Sequence, residues 1–172
     1  ATCNTGSDQE AEISGLLYGG SDDTDNSGTL KYVRVEYSGA QINADKQFNG
    51  FSFYGVGSGT TLEYIQSYQG QDDGIEFFGG TVNIKYAVST GSGDDQFDFA
   101  EGWRGTAQYI YLEQLPGLVQ DKGIEGDNLK ANNAATPVSN PTIMNVTIMG
   151  DTSILNADGE KGDGIRIREG AN

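Results

Sequence analysis

Two stretches of the chain place a pair of adjacent aspartates directly before a segment of alternating apolar residues. They read QDDGIEFFGG, from residue 71, and SGDDQFDFAEG, from residue 92. If the two stretches lie side by side, four carboxylates crowd one turn. Such a group either raises its own pKa values or binds a cation. The four aspartates are Asp72, Asp73, Asp94 and Asp95.

The cation that suits these side chains is Ca²⁺, because it prefers several hard oxygen ligands. Three further acids, Glu76, Asp98 and Glu101, stand close enough in sequence to add ligands. The alternative is that each aspartate bonds to its own backbone at the start of a turn and stays hydrated. Both interpretations remain open at this point, and we expect a calcium site formed by these carboxylates.

A second acidic motif, DDTDNSG, precedes the first long apolar segment. Its Asp23, Asp25 and Ser27, followed by Gly28, match the first half of a calcium loop of EF-hand type. The match then fails, because Arg34 stands where a bidentate glutamate is needed and a strand pattern replaces the helix. We expect a short calcium-binding loop here, with a solvated acidic turn as the alternative.

Residues that the chain lacks exclude several functions. It has 172 residues and no His, which rules out Ser-His-Asp and Cys-His catalysis and a histidine general base. With 10 Lys+Arg against 25 Asp+Glu, the formal charge of −15 disfavours nucleic acid and anionic membranes as partners. No apolar run approaches the roughly 18 residues of a membrane span. The single Cys3 predicts a free thiol or an intermolecular bridge.

A repeat organises the chain. One short element recurs as NGFSF, DGIEF, DQFDF, KGIEG and DGIRI, at 49–53, 73–77, 95–99, 122–126 and 163–167. Each copy follows a longer strand pattern, in segments 28–39, 59–70, 80–91, 105–114 and 141–150. Alternating apolar residues predict strands with one buried face. In the third long segment this face is expected to contain Val82, Ile84, Tyr86 and Val88.

A repeated pair of strands fits two folds. In an antiparallel sandwich, Asn49-Gly50 would form a hairpin turn. In a parallel β-solenoid each repeat is one coil, and equivalent strands stack about 4.8 Å apart. We favour the solenoid, because each of its coils packs against an equivalent coil, and equivalent environments favour equivalent residues. A sandwich gives no such reason for a repeated sequence. The prediction is one all-β domain over 1–172 with five to six coils, an N-terminal lead-in at 1–13 and a loop insertion at 128–140.

Three strings carry a family resemblance: YGGSDDTDNSGTLKYVRVEYSG, GVGSGTTLEYIQSYQGQDDGIEFFGGTVN and GDDQFDFAEGWRG. Over residues 14–150 the chain resembles secreted right-handed parallel β-helix repeat proteins of Gram-negative bacteria, a pectin-lyase-like family without an agreed activity. The resemblance implies a right-handed parallel β-helix and a secreted or cell-surface location. It also suggests that the chain is the C-terminal part of a longer solenoid.

The expected function is a structural or adhesive role at the cell surface, with Ca²⁺ holding adjacent coils together. Solenoid ends leave strand edges unpaired, so end-to-end assembly into a filament is a further expectation. The alternative is a carbohydrate-active β-helix that binds or cleaves an extracellular polysaccharide, since hydrolases of this fold use paired aspartates. Lyases of this fold use a basic residue near Ca²⁺, a place that Arg104 could take. No residue is assigned a catalytic role.

Overall fold

The structure, a computed structural model, describes residues 1–6, 9–11, 15–43, 46–153, 155, 159 and 162–172. Two small antiparallel hairpins pair β1 (Gln9–Glu10) with β2 (Leu17–Tyr18), and β4 (Gln41–Asn43) with β5 (Lys46–Gln47). One large sheet contains the long strands β3 (Thr29–Glu36), β7 (Thr61–Tyr68), β9 (Asn83–Thr90), β11 (Thr106–Glu113) and β13 (Thr142–Met149). The other contains the short strands β6 (Phe51–Tyr54), β8 (Ile75–Phe78), β10 (Phe97–Ala100), β12 (Ile124–Gly126) and β14 (Ile165–Ile167). Within the described residues there is no helix long and apolar enough to cross a membrane.

The two large sheets are parallel and follow the chain coil by coil. Coil 1 contains β3 and β6, coil 2 β7 and β8, coil 3 β9 and β10, coil 4 β11 and β12, and coil 5 β13 and β14. The molecule is therefore an all-β parallel β-helix, which confirms the predicted solenoid. The sandwich alternative is wrong, because the two strands of one coil lie in different sheets, and each strand pairs with the equivalent strands of the adjacent coils. About 98% of such crossover connections are right-handed, which is the hand that the resemblance implies.

The core is the interior of the coils. Phe77, Phe97, Phe99 and Trp103 are almost fully buried, and the rings of Phe77 and Trp103 stack with centroids 4.3 Å apart. The indole N–H of Trp103 donates to the carbonyl oxygen of Val82 at 3.1 Å, so the one buried donor of the ring is satisfied. The inward-facing phenylalanines thus form the core ladder that alternation in the short segments predicts.

A kink in every long strand overturns one expectation. Tyr86 has φ 58°, a left-handed conformation, and the inward face shifts by one residue at this point. Ile84 and Ala87 are therefore buried, whereas Tyr86 is exposed and Val88 is half-buried. The prediction that Tyr86 and Val88 share the buried face of Ile84 is wrong for this reason. The same kink occurs at the fourth residue of each other long strand, at Tyr32, Tyr64, Tyr109 and Asn145.

The kinked tyrosines form a ladder on the outer surface of the long sheet. Their rings are nearly parallel, with centroids 4.7 Å apart for Tyr32 and Tyr64, 4.6 Å for Tyr64 and Tyr86, and 5.2 Å for Tyr86 and Tyr109. Tyr32 is 78% exposed, against 41% for Tyr64, because no ring of the described residues stacks on its outer side. Coil-to-coil stacking of side chains thus continues outside the core as well as within it.

The N-terminal residues run along the side of the solenoid. The N–H of Gly80 donates to the carbonyl of Thr2 at 3.1 Å, and the N–H of Asn4 donates to the carbonyl of Glu101 at 2.9 Å. Between them Cys3 is a free, buried thiol, and burial raises its pKa to about 11. An intermolecular bridge through Cys3 is therefore not supported. Of the expected lead-in 1–13, residues 7, 8, 12 and 13 lie outside the described part.

The segment 128–140 contains no strand and leaves the coil as a loop. The fully buried side chain of Asn128 organises it. Its amide donates to the carbonyls of Asn133, at 3.1 Å, and Ala135, at 3.0 Å, and its Oδ1 accepts the N–H of Ser139 at 2.9 Å. This loop also anchors the N-terminal segment, because Asn4 Nδ2 donates to Asn128 Oδ1 at 2.7 Å.

Candidate metal centre

The residues that precede the short strands stack in successive coils; we call them the turn column. They are Asn49, Asp73, Asp95, Lys122 and Asp163. The side chains of Asn49, Asp73 and Asp95 each accept a backbone N–H from the coil that follows. The N–H of Asp73 donates to Asn49 Oδ1 at 3.2 Å, that of Asp95 to Asp73 Oδ1 at 2.9 Å, and that of Lys122 to Asp95 Oδ1 at 2.7 Å. The repeat therefore brings Asp73 and Asp95 together, as the sequence predicts.

Glycine follows the column residue in most coils for a steric reason. A Cβ atom at Gly74 would lie 1.9 Å from the hydroxyl oxygen of Ser89 and 2.7 Å from the carbonyl oxygen of Gln96. Packing between the coils thus explains the glycine of the Asp-Gly pair. It does not explain why the residue before the glycine is acidic.

A second set of stacked side chains lies on the outer face of the short sheet; we call it the strand column. It contains Ser52, Glu76, Asp98, Glu125 and Arg166, which are paired in register. Glu76 and Glu125 are buried and Asp98 is half-buried. Asn49 Nδ2 donates to Glu76, and the carboxyls of Glu76 and Asp98 share a hydrogen bond. Carboxylates of the two columns therefore lie side by side in coils 2 and 3, whereas in coil 4 the turn column has Lys122 beside Glu125.

The columns form three groups of three carboxylates, and within each group the oxygens lie within 4.8 Å of one another. The first group, Asp72, Asp73 and Asp94, joins coil 2 to coil 3. The second, Asp73, Glu76 and Asp98, joins the two columns. The third, Asp94, Asp95 and Asp121, joins coil 3 to coil 4. Asp73 and Asp94 each belong to two groups, so these two residues link the three groups to one another.

Burial and mutual repulsion hold protons on these acids. Burial, followed by repulsion from Asp94 and Asp98, raises the pKa of Asp95 to about 9. Burial and then Glu125 raise the pKa of Asp98 to about 8. Asp94 is more exposed, but the protein atoms around it displace part of its water, and this partial desolvation and then Asp72 raise its pKa to about 6. The pKa of Asp73 also lies well above its ordinary value, because of burial and the nearby Asp98. A cation bound among these groups would release the protons.

The chain itself supplies a cation to coil 4. Lys122, whose side chain is only 4% exposed, places Nζ 2.9 Å from Glu125 Oε1 and 3.8 Å from Asp95 Oδ1, and it also pairs with Asp121. Sequence reasoning missed this lysine and its partners Asp121 and Glu125. The signal was present, because KGIEG places Lys122 at the position of Asp73 and Asp95 in the repeat.

Most acids of coils 2 and 3 lack such a partner within the described part of the chain; the exception is Asp95, which faces Lys122. Among the described residues, no basic side chain forms an ion pair with Asp72, Asp73, Asp94 or Asp98. Asp94 is exposed and Asp72 is half-buried, so the first group of carboxylates is open to solvent. These oxygens are the ones best placed to bind a hard cation.

The structure does not bring Glu101 to these groups. Gln96 and the four residues of β10 separate it from Asp95, which corresponds to about 20 Å along an extended strand. Glu101 accepts hydrogen bonds from the hydroxyls of Tyr18 and Thr5 instead. Arg104 lies at the same end of the strand, where it pairs with Asp23 at 2.8 Å, and so it does not stand beside the carboxylate columns.

The expected calcium loop has its side chains engaged with protein groups. Asp23 accepts the N–H of Thr2 at 2.8 Å as well as the guanidinium of Arg104. Asp25 accepts the hydroxyl of Ser27 at 2.9 Å. The two carboxylates therefore have different partners, and a metal site in this loop stays a prediction.

A comparison with known proteins assigns the chain to a family. The model of the pectate-lyase-like β-helix domain matches residues 1–172. The chain belongs to this family. No curated protein and no solved structure gives a significant match. The resemblance read from the repeated strings is confirmed at the level of this domain.

One groove of the pectate-lyase-like β-helix lies next to the carboxylate columns. It has a volume of about 550 Å³ and is lined by Tyr37, Gln47, Gln69, Gly70, Gln71, Gly91, Gly93, Leu118 and Val119. Gln71 precedes Asp72 and Gly93 precedes Asp94, so the floor of the groove leads to the first group of carboxylates. Amide side chains, a tyrosine and two aliphatic residues suit a polar organic ligand.

Proposed function

We propose that this pectate-lyase-like β-helix is a structural or adhesive protein of the cell surface, stabilised by Ca²⁺ bound between coils 2 and 3. The observation that carries the proposal is the set of stacked carboxylates without a basic partner: Asp72, Asp73, Asp94 and Asp98. Coil 4 has Lys122 among its acids, which supports the view that the columns need positive charge to remain ionised.

The donor set fits Ca²⁺. Three carboxylates within 4.8 Å supply part of the six to eight oxygens that the ion takes, and water and backbone carbonyls complete such a shell. Asp72 and Asp94 come from different coils, so one ion would join coil 2 to coil 3 in addition to the backbone ladder. Divalent charge would also oppose the repulsion within a chain of charge −15.

The proposed location is outside the cell. Pectate-lyase-like β-helix domains are often extracellular. Extracellular calcium modules bind with dissociation constants of about 10⁻⁴ to 10⁻³ M, and a partly exposed group of three carboxylates suits this range. A calcium-dependent solenoid would therefore be fully folded at the cell surface.

Thermal unfolding with Ca²⁺ and with excess EDTA tests the proposal. A ligand that binds only the folded state stabilises it by about 2.7 kcal/mol at a hundredfold excess over Kd. For a chain of this length that is about 5–10 °C in Tm. Asp72→Asn should lose most of this shift, whereas Glu113→Gln, which removes an equal charge from the long sheet, should keep it. An unchanged wild-type Tm on chelation would contradict the calcium proposal.

The loop with Asp23, Asp25 and Ser27 is proposed as a second, weaker calcium site. Asp25→Asn should reduce the number of Ca²⁺ ions bound in equilibrium dialysis by one and leave the Asp72-dependent Tm shift in place. An unchanged number of bound ions would remove this loop from the proposal.

A carbohydrate-active function is the second candidate, and the groove beside Asp94 favours it. The pKa of this exposed carboxyl, raised to about 6 by burial of its surroundings and by Asp72, suits a general acid at neutral pH. Incubation with a panel of polysaccharides, followed by assay of new reducing ends, tests the idea. Turnover that Asp94→Asn abolishes would favour the enzyme, and binding without turnover would favour adhesion.

A further inference from the structure

A buried amine of coil 4 lies in contact with a buried carboxyl of coil 3. Lys122 Nζ is 3.8 Å from Asp95 Oδ1, and the two side chains are only 4% and 3% exposed. Nζ also lies 2.9 Å from Oε1 of Glu125, whose side chain is 10% exposed. Amide formation needs an amine, a carboxyl and a group that moves protons between them. The stacking of coils 3 and 4 brings these three groups together away from water.

We propose that Lys122 and Asp95 react with each other to form an isopeptide bond between coils 4 and 3, with Glu125 as the general base. The bond is a covalent modification that the chain makes on itself. It forms after folding, because the two side chains come from different coils and meet only when the coils stack. The inference goes beyond the proposed structural role and does not depend on the calcium site.

The ion pair itself supplies every atom and proton of the reaction. Glu125 takes a proton from the ammonium of Lys122, and the free amine attacks Cγ of Asp95. Glu125 then delivers this proton, and afterwards a second one from the nitrogen, to Oδ2 of Asp95. The C–N bond forms, the Cγ–Oδ2 bond breaks, and Oδ2 leaves as water. An ammonium and a carboxylate thus give one amide and one water molecule, and Glu125 ends ionised as it began.

The backbone of Lys122 marks Asp95 as the carboxyl that reacts. Its N–H donates to Asp95 Oδ1 at 2.7 Å, and Oδ1 is the oxygen that becomes an oxyanion in the tetrahedral intermediate. A donor already in place at this distance stabilises that charge. Asp121 also contacts Nζ, but it precedes Lys122 in the chain, and a link there would close a small ring around a planar trans peptide bond.

Arg168 of coil 5 positions the general base. Its Nη2 lies 2.6 Å from Glu125 Oε2, which leaves Oε1 facing Lys122. Asp127 fixes the guanidinium in turn, with Oδ1 2.9 Å from Nε of Arg168. The reaction removes the charge of Lys122, and Arg168 then remains as the cation beside Glu125. The product therefore does not leave this carboxylate as an uncompensated buried charge.

Proximity and burial both favour the amide. Well-oriented groups within one molecule reach effective molarities of about 10⁵–10⁸ M, which favours bond formation over separate side chains. The amide also replaces an ion pair whose desolvation is costly, and the exclusion of water slows the reverse hydrolysis. Of the five residues of the turn column only Lys122 has an amine, so the bond is confined to the step between coils 3 and 4.

Mass spectrometry of the denatured protein tests the bond. The intact mass should be lower than the sequence mass by one water molecule. Trypsin should release residues 86–104 joined to residues 105–130, because acylated Lys122 is no longer a cleavage site. Fragmentation of this product should place the link at Asp95. A link at Asp121 or Glu125 would overturn the proposal, and so would the full sequence mass after prolonged incubation of the folded protein at neutral pH.

Four variants separate the roles of the three groups. Lys122→Arg keeps the positive charge without the reactive amine and should have the full mass. Asp95→Asn should lose ammonia instead of water, and continued loss of water would show that the water comes from elsewhere. Glu125→Gln should slow the reaction about 10²-fold or more, because it removes the base. The matched control Glu113→Gln, in the long strand β11, should react as the wild type does.

The joined peptides distinguish the bond from other losses of water. Cyclisation of an Asp-Gly pair, such as Asp73-Gly74, also releases water, but it leaves the peptides separate and persists in Lys122→Arg. Circular dichroism of each variant confirms folding before its mass is compared. Joined peptides together with a Tm that chelation leaves unchanged would reject the metal site alone. The full mass together with a calcium-dependent Tm would reject the isopeptide bond alone.

Discussion

Asp73 has an acidic group that its structural role does not need. Its Oδ1 accepts the N–H of Asp95, and Asn49 performs the same task one coil earlier with a neutral amide. Burial and the neighbouring Asp98 make the charged form of Asp73 unfavourable, as the raised pKa shows. A neutral asparagine would satisfy the ladder without this cost. The carboxylate is therefore best explained by a ligand that requires it.

Asp73→Asn separates these two roles. In EDTA the variant should be more stable than the wild type, by about 1 kcal/mol or more, since it removes an acid whose ionisation is opposed by burial and by Asp98. In saturating Ca²⁺ it should be less stable than the wild type, since it lacks a ligand shared by two groups of carboxylates. Calorimetry under both conditions gives the comparison. Lower stability in both would mean that the carboxylate itself serves the ladder.

Lys122 tests the same balance from the opposite side. Its charge lies among Asp95, Asp121 and Glu125, so Lys122→Met leaves buried acids without their cation. Loss of one partner from such a buried group costs about 3–5 kcal/mol. We expect a large fall in Tm that added Ca²⁺ partly reverses, whereas Lys130→Met, at an exposed site, should change little. A fall in Tm that Ca²⁺ leaves untouched would show that the ion does not take the place of the lysine.

At the scale of elements, the long strands depend on one left-handed residue. Tyr64, Tyr86 and Tyr109 adopt a conformation that costs an L-residue about 1–2 kcal/mol. The stacked rings return part of this, because each aromatic pair contributes about 0.5–1.5 kcal/mol. Asn145 occupies the same position in β13, and asparagine tolerates this backbone better than most residues.

At the kinked position the usual preference of strands for β-branched residues over asparagine is reversed. Tyr86→Asn should cost about 1 kcal/mol, the value of the lost ring contacts. Tyr86→Val should cost about 2–3 kcal/mol, because a β-branched residue is poorly accommodated at positive φ. Urea unfolding of both variants measures the difference. A valine variant as stable as the asparagine variant would mean that the strand can lose its kink.

At the scale of the whole molecule, the carboxylate columns set the pH dependence of stability. The pKa values of Asp94, Asp98 and Asp95 are raised to about 6, 8 and 9, from an ordinary value near 3.8. The folded protein therefore holds protons that the unfolded chain releases. Their stabilising effect is complete below about pH 4 and is lost as the pH rises through the folded-state pKa values.

Without metal, the protein should consequently have a higher Tm at pH 5 than at pH 8. With Ca²⁺ the difference should shrink or change sign, because the ion binds only the ionised carboxylates. Calorimetry at the two pH values, in EDTA and in Ca²⁺, provides four values of Tm. An EDTA series without a pH effect would show that these acids are hydrated in the folded protein.

Much of the fold could be predicted from the sequence. DGIEF and DQFDF share a pattern because their side chains occupy equivalent positions in successive coils. That pattern predicted that the two segments stack and that Asp73 lies close to Asp95. The inward face after Ile84 could not be predicted, because tyrosine in a left-handed conformation leaves no mark on apolar alternation. Glu101 was misplaced in the cluster because closeness in sequence does not measure distance across a strand.

The sequence by itself determined the parallel β-helix and the acidic character of its turns, since a repeat specifies the environment that each copy shares with the next. Only the tertiary structure decided which acids are neutralised and which are not. Lys122 lies close in sequence to Asp121 and Glu125, but it reaches Asp95 from the next coil, and Arg168 reaches Glu125 from coil 5. Charge balance in a solenoid is a property of neighbouring coils, so it becomes visible only when the coils are stacked.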